Sequence, residues 1–225
     1  MTSTHPFWIV VGTAIIAMIP ILIGIATSYI KISIVLGLLR SGLGAQQVPG
    51  AVVVMALSAA MTLYIMNPTI TSTAKIASTI DFERYTANPS LEGIKNLAPL
   101  MEPWREFMRL HSGERELHAL RELGPTVALT PQPAEVSNPD LPVKENLQVL
   151  TLAFVLTELK ESFAMGFVLL LPFLVVDLVV ANVLAGMGMF MVSPAMISLP
   201  LKLILFVVAD GWLILTRGLI GSYGG

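Results

Sequence analysis

Long apolar stretches and one polar block alternate along this chain. Residues 7–39 are almost continuously apolar. As one straight helix they would extend about 50 Å, against a hydrocarbon core of about 30 Å. The excess predicts a kink, and Pro20 and the Thr27-Ser28-Tyr29 cluster are the places for it. Lys31 falls deep inside the same run. Residues 40–50, RSGLGAQQVPG, carry glycine and proline breakers and predict a turn. A second apolar helix is predicted over Ala51–Met66, closed by Asn67-Pro68. Its Ser58, Ala59, Ala60 and Thr62 are small enough for close helix approach in a membrane.

Polar residues then take over. A helix can continue from Thr69 to Ile80. Trp104–Leu123 predicts one amphipathic helix, with Trp104, Phe107, Met108, Leu117 and Leu120 at three-to-four spacing and Gly124-Pro125 as its stop. Pro125, Pro131, Pro133, Pro139 and Pro142 predict an extended linker. Leu147–Val192 is the second oversized apolar segment; it contains Pro172 and breaks at Gly186-Met187-Gly188-Met189-Phe190-Met191. A last apolar helix is predicted over Ala195–Leu215, with Pro200 in its first turns and Arg217 and a glycine-rich segment after it. The chain thus divides into N-terminal apolar helices over 1–66, a polar insert with its linker over 67–146, and a C-terminal apolar region over 147–225.

Composition sharpens this picture. Hydrophobic residues make up 55% of the chain and charged residues 12%, whereas soluble domains carry about 25% charged residues. The chain is therefore a membrane protein or one buried in a larger assembly. A net charge of −2 gives no bias toward nucleic acid. Cysteine is absent, which excludes disulfides and thiolate metal sites. Residues 67–146 hold eight Lys/Arg and eleven Asp/Glu, so most of the charge sits in the insert. Residues 1–6 contain no Lys or Arg, so no cleavable signal peptide is expected. Arg40 in the first short loop argues that this loop is cytoplasmic and the insert periplasmic.

Signatures of catalysis are missing. The sequence has no Walker loop, GxSxG, HExxH or GxGxxG before a strand. His111 and His118 lie seven apart on the predicted amphipathic helix, two turns, which is too far to share one ion. Glu158 and Glu161 lie three apart and admit paired-carboxylate chemistry, but Lys160 between them and the apolar flanks favour a structural ion pair. No enzymatic activity, cofactor or metal is expected.

Seven ionisable residues occupy the apolar segments: Lys31, Glu158, Lys160, Glu161, Asp177, Lys202 and Asp210. Each costs at least about 2.5–3.5 kcal/mol near a bilayer centre. Three basic and four acidic groups permit near-complete pairing. Lys31 can snorkel to an interface or pair within a bundle. Lys202 and Asp210 are eight residues apart, about 12 Å along a helix, so each needs a partner on another helix or another copy. A proton relay is the competing use of these groups. Met187, Met189 and Met191 alternate with Gly188 and Phe190. Methionine here either fills a gap in a core or supplies a soft, adaptable surface, and Gly186 and Gly188 let the backbone leave helical geometry.

These residues carry a resemblance. TELKESFAMGF at 157–167, LPF at 171–173, DLVVA at 177–181 and MGMFMVSP at 187–194 resemble the export-apparatus family SctR/FliP of type III secretion. So do LPLK at 199–202, DGW at 210–212, RSGLGAQQVP at 40–49, MNP at 66–68 and WREFM at 104–108. The resemblance spans nearly the whole chain and is weakest over 125–142. It implies an all-α protein of kinked apolar helices forming hairpins, held in a helical multi-subunit cone with a helical polar insert. It implies a homopentamer that joins SctS/FliQ-like and SctT/FliR-like subunits, with SctU/FlhB-like and SctV/FlhA-like proteins as further partners. That assembly would pass unfolded secreted proteins across the bacterial inner membrane, largely at its periplasmic side, in contact with membrane lipid and not with nucleic acid. The family's methionine gasket falls on Met187, Met189 and Met191, and Phe190 stands where methionine is more common. An injectisome is favoured over a flagellum, because flagellar relatives often carry a cleaved signal and have Pro-Pro where this chain has Ser193-Pro194. The alternative is a secondary transporter subunit that uses Asp177, Lys202 and Asp210 as an ion pathway.

Overall fold

The computed structural model describes residues 13, 17, 24–44, 49–80, 98–127 and 146–224. Every element among them is helical: α1 (Tyr29–Leu43), α2 (Ala51–Thr79), a 3-10 turn (Ala98–Met101), α3 (Glu102–Leu110), α4 (Glu114–Val127), α5 (Leu147–Gly186), α6 (Pro194–Val208) and α7 (Gly211–Gly221). Two compact units form, Met1–Ile30 with Thr69–Val155, and Lys31–Pro68 with Leu156–Gly225. Pro20 and the proline-rich stretch 131–142 lie outside the described residues.

The first apolar run breaks at Thr27-Ser28, where the Thr27 hydroxyl accepts a hydrogen bond from the Tyr29 amide at 3.2 Å. A threonine side chain that takes a backbone amide in this way competes with the helical ladder. α1 then runs on through Arg40 to Leu43, one turn beyond the expected boundary. A cation in the last turn suits the negative end of the helix dipole, and Gly44 closes the helix at φ 72°.

α2 corrects the expected stop at Asn67-Pro68, because the helix continues through Pro68 to Thr79. Proline removes one amide donor, but a helix of 29 residues retains its bonds on both sides. α5 likewise passes through Pro172 and reaches 40 residues, about 60 Å. The expected helix over Trp104–Leu123 is instead two. His111 and Ser112 interrupt it, with the His111 ring Nδ1 2.8 Å from the Phe107 carbonyl and the Ser112 hydroxyl donating to Met108 O at 2.6 Å. α4 in turn passes Gly124-Pro125 and ends at Val127. The expected helix over Ala195–Leu215 is also two, bent by 63° between α6 and α7. α2 and α5 are each long and apolar enough to cross a membrane, and α6 with α7 qualify as a third span if the bent pair is counted together.

In the first unit Phe107, Met108, Leu117, Leu150 and Phe154 are buried, and the Phe107 and Phe154 rings meet edge to face at 5.8 Å. The core of the second unit joins Ile32, Val35, Leu36, Leu39 and Leu43 of α1 to Met61 of α2, Phe173 of α5, Phe206 of α6, and Leu215 and Leu219 of α7. Two glycines set how closely α1 and α5 approach. A Cβ at Gly166 would collide with Leu38, and one at Gly42 would collide with Leu170. Lys31 meets Glu158, Leu38 meets Gly166 and Gly42 meets Leu170, so α1 runs parallel to this part of α5. α6 returns antiparallel, with Lys202 against Asp177 and Phe206 6.3 Å from Phe173. The second unit thus contains the helical hairpin that the resemblance implied.

Gly166→Val should lower the unfolding midpoint of the detergent-solubilised protein, at a cost of about 1–3 kcal/mol from overpacking. Gly37→Ala, where no atom lies within 4 Å of a new Cβ, should raise the midpoint through helix propensity, by up to about 1 kcal/mol. Equal shifts for the two would contradict the close approach of α1 and α5.

Candidate functional site

The chain reverses between α5 and α6 over residues 187–193. The Gly188 amide donates to Ala185 O at 3.0 Å and the Met189 amide to Leu184 O at 2.9 Å. Gly188 has φ 75°. These are the two crossed bonds of a Schellman motif, which needs a left-handed residue where glycine pays no Cβ penalty. Val192 donates back to Met189 O at 3.4 Å, and Ser193 in an extended conformation leads into Pro194 at the start of α6. Proline fits there because the first turn lacks amide acceptors in any case. The backbone of this turn is therefore tied to itself while its side chains point away from the chain's own core. Met187, Met189 and Met191 are exposed, and Phe190 is 82% exposed.

Two charge clusters tie the helices of the second unit together. In the first, the ammonium of Lys31 lies 2.7 Å from Glu161 Oε2 and 3.1 Å from Glu158 Oε1. Lys31 is 1% exposed and Glu158 is fully buried, whereas Glu161 is 47% exposed. The Glu158 Oε1 contact is an ion pair not aligned as a hydrogen bond, and its other oxygen accepts the Tyr223 hydroxyl. The Tyr223 ring also faces Lys31, 4.1 Å from the ammonium. Burial, and then the Glu158 carboxylate beside it, push the Tyr223 phenol far above its ordinary range, so the hydroxyl stays a donor. In the second cluster Lys202 Nζ lies 2.6 Å from Asp177 Oδ2 and 3.1 Å from the Gly42 carbonyl. That carbonyl belongs to the last turn of α1, where unpaired acceptors gather. Ser198 sits one helical turn before Lys202 and lies beside the same carboxylate.

The structure thus joins Lys31 to Glu158 and Glu161, and Lys202 to Asp177. Lys160 is exposed on α5. Asp210 does not lie within a helix; it is exposed at the joint before α7 with φ 51°, since the chain turns there. His111 sits between α3 and α4, whereas His118 is exposed on α4. Among the described residues no group of three His, Asp or Glu is placed to hold a metal ion. Tyr223 and the Gly42 carbonyl were not legible as site groups beforehand. For Tyr223 the available signal was a single aromatic side chain among the glycines of residues 218–225.

The sequence profile of the FliP family matches residues 13–219. The chain belongs to the FliP family. This FliP-family chain is 35% identical over 221 residues to Yop proteins translocation protein R of Yersinia pestis, covering 96% of both chains. It is 34% identical over 226 residues to hypersensitivity response secretion protein HrcR of Ralstonia nicotianae, again over 96% of both. The flagellar biosynthetic protein FliP of Caulobacter vibrioides is 37% identical over 211 residues, which are 93% of this chain and 73% of that one.

Removing one partner of a buried pair strands the other charge. Lys31→Met should therefore destabilise the FliP-family chain by about 3–5 kcal/mol, read as a fall in its detergent unfolding midpoint. Lys31→Met combined with Glu158→Gln should recover much of the loss. A double variant no better than the single one would remove Glu158 as the group that needs Lys31.

Proposed function

We propose that this chain is a core subunit of a type III secretion export gate, the channel through which unfolded substrate proteins cross the bacterial inner membrane. Family membership and relatives named for protein translocation and secretion support the reading. The observation that carries it is the turn over 187–193. Three methionines and a phenylalanine stand exposed on a backbone that is already hydrogen-bonded to itself. Such soft side chains have no role in the chain's own core. Contributed by several copies around an axis, Met187, Met189, Phe190 and Met191 form a gasket that closes on itself and yields to a passing polypeptide.

The assembly in this reading is a pentamer with SctS/FliQ-like and SctT/FliR-like subunits, adjoined by SctU/FlhB-like and SctV/FlhA-like proteins. It lies largely at the periplasmic side of the membrane. The exposed apolar surface of α5, which includes Phe163, Phe167, Leu171, Leu174 and Leu178, supports burial against other chains or lipid. An injectisome is favoured, because two of the relatives above are named for Yop protein translocation and hypersensitivity response secretion and match over 96% of their length, against 73% for the flagellar relative above. A relay through Asp177 and Lys202 is less favoured, because the two groups neutralise each other at 2.6 Å.

Met187→Ala, Met189→Ala and Met191→Ala together should make the closed complex leak small ions at least tenfold faster in a liposome flux assay, with assembly intact. Unchanged permeability would sink the gasket. Native mass measurement in detergent should give five copies when the chain is co-expressed with the SctS- and SctT-like partners. A monomer under those conditions would contradict the assembly.

A further inference from the structure

α7 is fixed at its two ends by different means. It joins α6 through Ala209-Asp210, where the axis turns by 63°. Asp210 takes the left-handed conformation, φ 51° and ψ 41°, which non-glycine residues rarely adopt. The hydrogen-bond ladders on the two sides are separate. Asp210 N donates back to Val207 O, and a new helix starts from Asp210 O, which accepts from Leu213 at 2.9 Å and Ile214 at 3.1 Å. A change of angle at this joint therefore disturbs few backbone bonds. Along its length α7 is held by buried Leu215 and Leu219. Apolar contacts of this kind resist separation but are non-directional. The packing beside them is also incomplete. An apolar groove of about 450 Å³, lined by Met165, Val168, Leu169, Ile214 and Gly218, runs between α5 and α7.

The directional contacts come just after α7. The Tyr223 hydroxyl donates to Glu158 and its ring faces the Lys31 ammonium at 4.1 Å, so one side chain ties α7 to both α5 and α1. α6 has its own tie through Lys202 to Asp177 and the Gly42 carbonyl. Buried polar contacts of this type fix register where apolar packing alone leaves it degenerate.

We propose that α7 is a hinged arm, with its pivot at Asp210-Gly211 and with Tyr223 as the latch that sets its register against α5 and α1. Tyr223 is a positioning residue that acts through Glu158 and Lys31. While the latch is closed, α7 walls the apolar groove. When it opens, α7 swings at the joint and α6 stays in place.

The chain has no cysteine, so one introduced thiol reports on one position. Leu219→Cys reports on the arm and Ser198→Cys on α6; both positions are now buried. Each is placed in the full chain in detergent micelles and labelled with a water-soluble maleimide. With Tyr223 present, both thiols should be protected. Tyr223→Leu should accelerate labelling of Leu219→Cys at least tenfold and leave Ser198→Cys unchanged. Tyr223→Phe keeps the ring over Lys31 and loses the hydrogen bond, and should give an intermediate rate. No acceleration on the arm, or equal acceleration at both positions, overturns the hinged arm. Leu215→Cys, also buried on α7, is the second arm reporter and must follow the same pattern.

Discussion

A lysine ammonium sits almost without solvent between helices, and the second unit is arranged around it. Lys31 lies deep in an apolar run, so its charge must be neutralised by neighbours or the helix must present it to water. The neighbours are two carboxylates one helical turn apart on α5 and the face of an aromatic ring from beyond α7. This requirement places α1 beside α5 and draws the chain after α7 back to the same point. Apolar burial by Ile32, Leu36, Leu39 and Phe173 supplies the stability. The buried charges restrict which of many apolar packings is allowed, because a slipped helix strands a charge.

Asp177 and Lys202 repeat this logic at the other end of the hairpin. One lysine bridges α6 to α5 through a carboxylate and to α1 through a terminal carbonyl. Glycines at 42 and 166 let α1 come close enough to α5 for these short polar contacts to form. Tight approach and charge neutralisation are therefore linked: a bulkier residue at either glycine would lengthen the paths that Lys31 and Lys202 must span.

The helical class and the order of apolar segments were readable from hydropathy alone, as was the break near Gly186. Where breaks fall was less readable. Pro68 looked like a stop but lies inside a helix, as Pro172 does, because one lost amide bond is a small fraction of a ladder of 29 or 40 residues. Ser112-Gly113 and Ala209-Asp210 looked continuous and are breaks. There the decision belongs to side chains that satisfy carbonyls locally and to a left-handed residue, neither of which leaves a periodic trace. Charge pairing was legible as arithmetic, three bases against four acids, but not as partners. Lys31 and Glu158 are 127 positions apart, and only the fold brings them together. The match between residues 157–194 and a known family carried the function, since composition reached no further than a helical membrane protein.

The turn after α5 separates stiffness from softness at the scale of a few atoms. Its main chain is closed by its own hydrogen bonds, whereas its thioether side chains have three rotatable bonds each and stand exposed. Rotamer exchange in exposed side chains takes picoseconds to nanoseconds. The outline of the turn can thus be redrawn at that speed with no hydrogen bond broken and no helix displaced. A surface built this way has no memory of the last shape pressed into it.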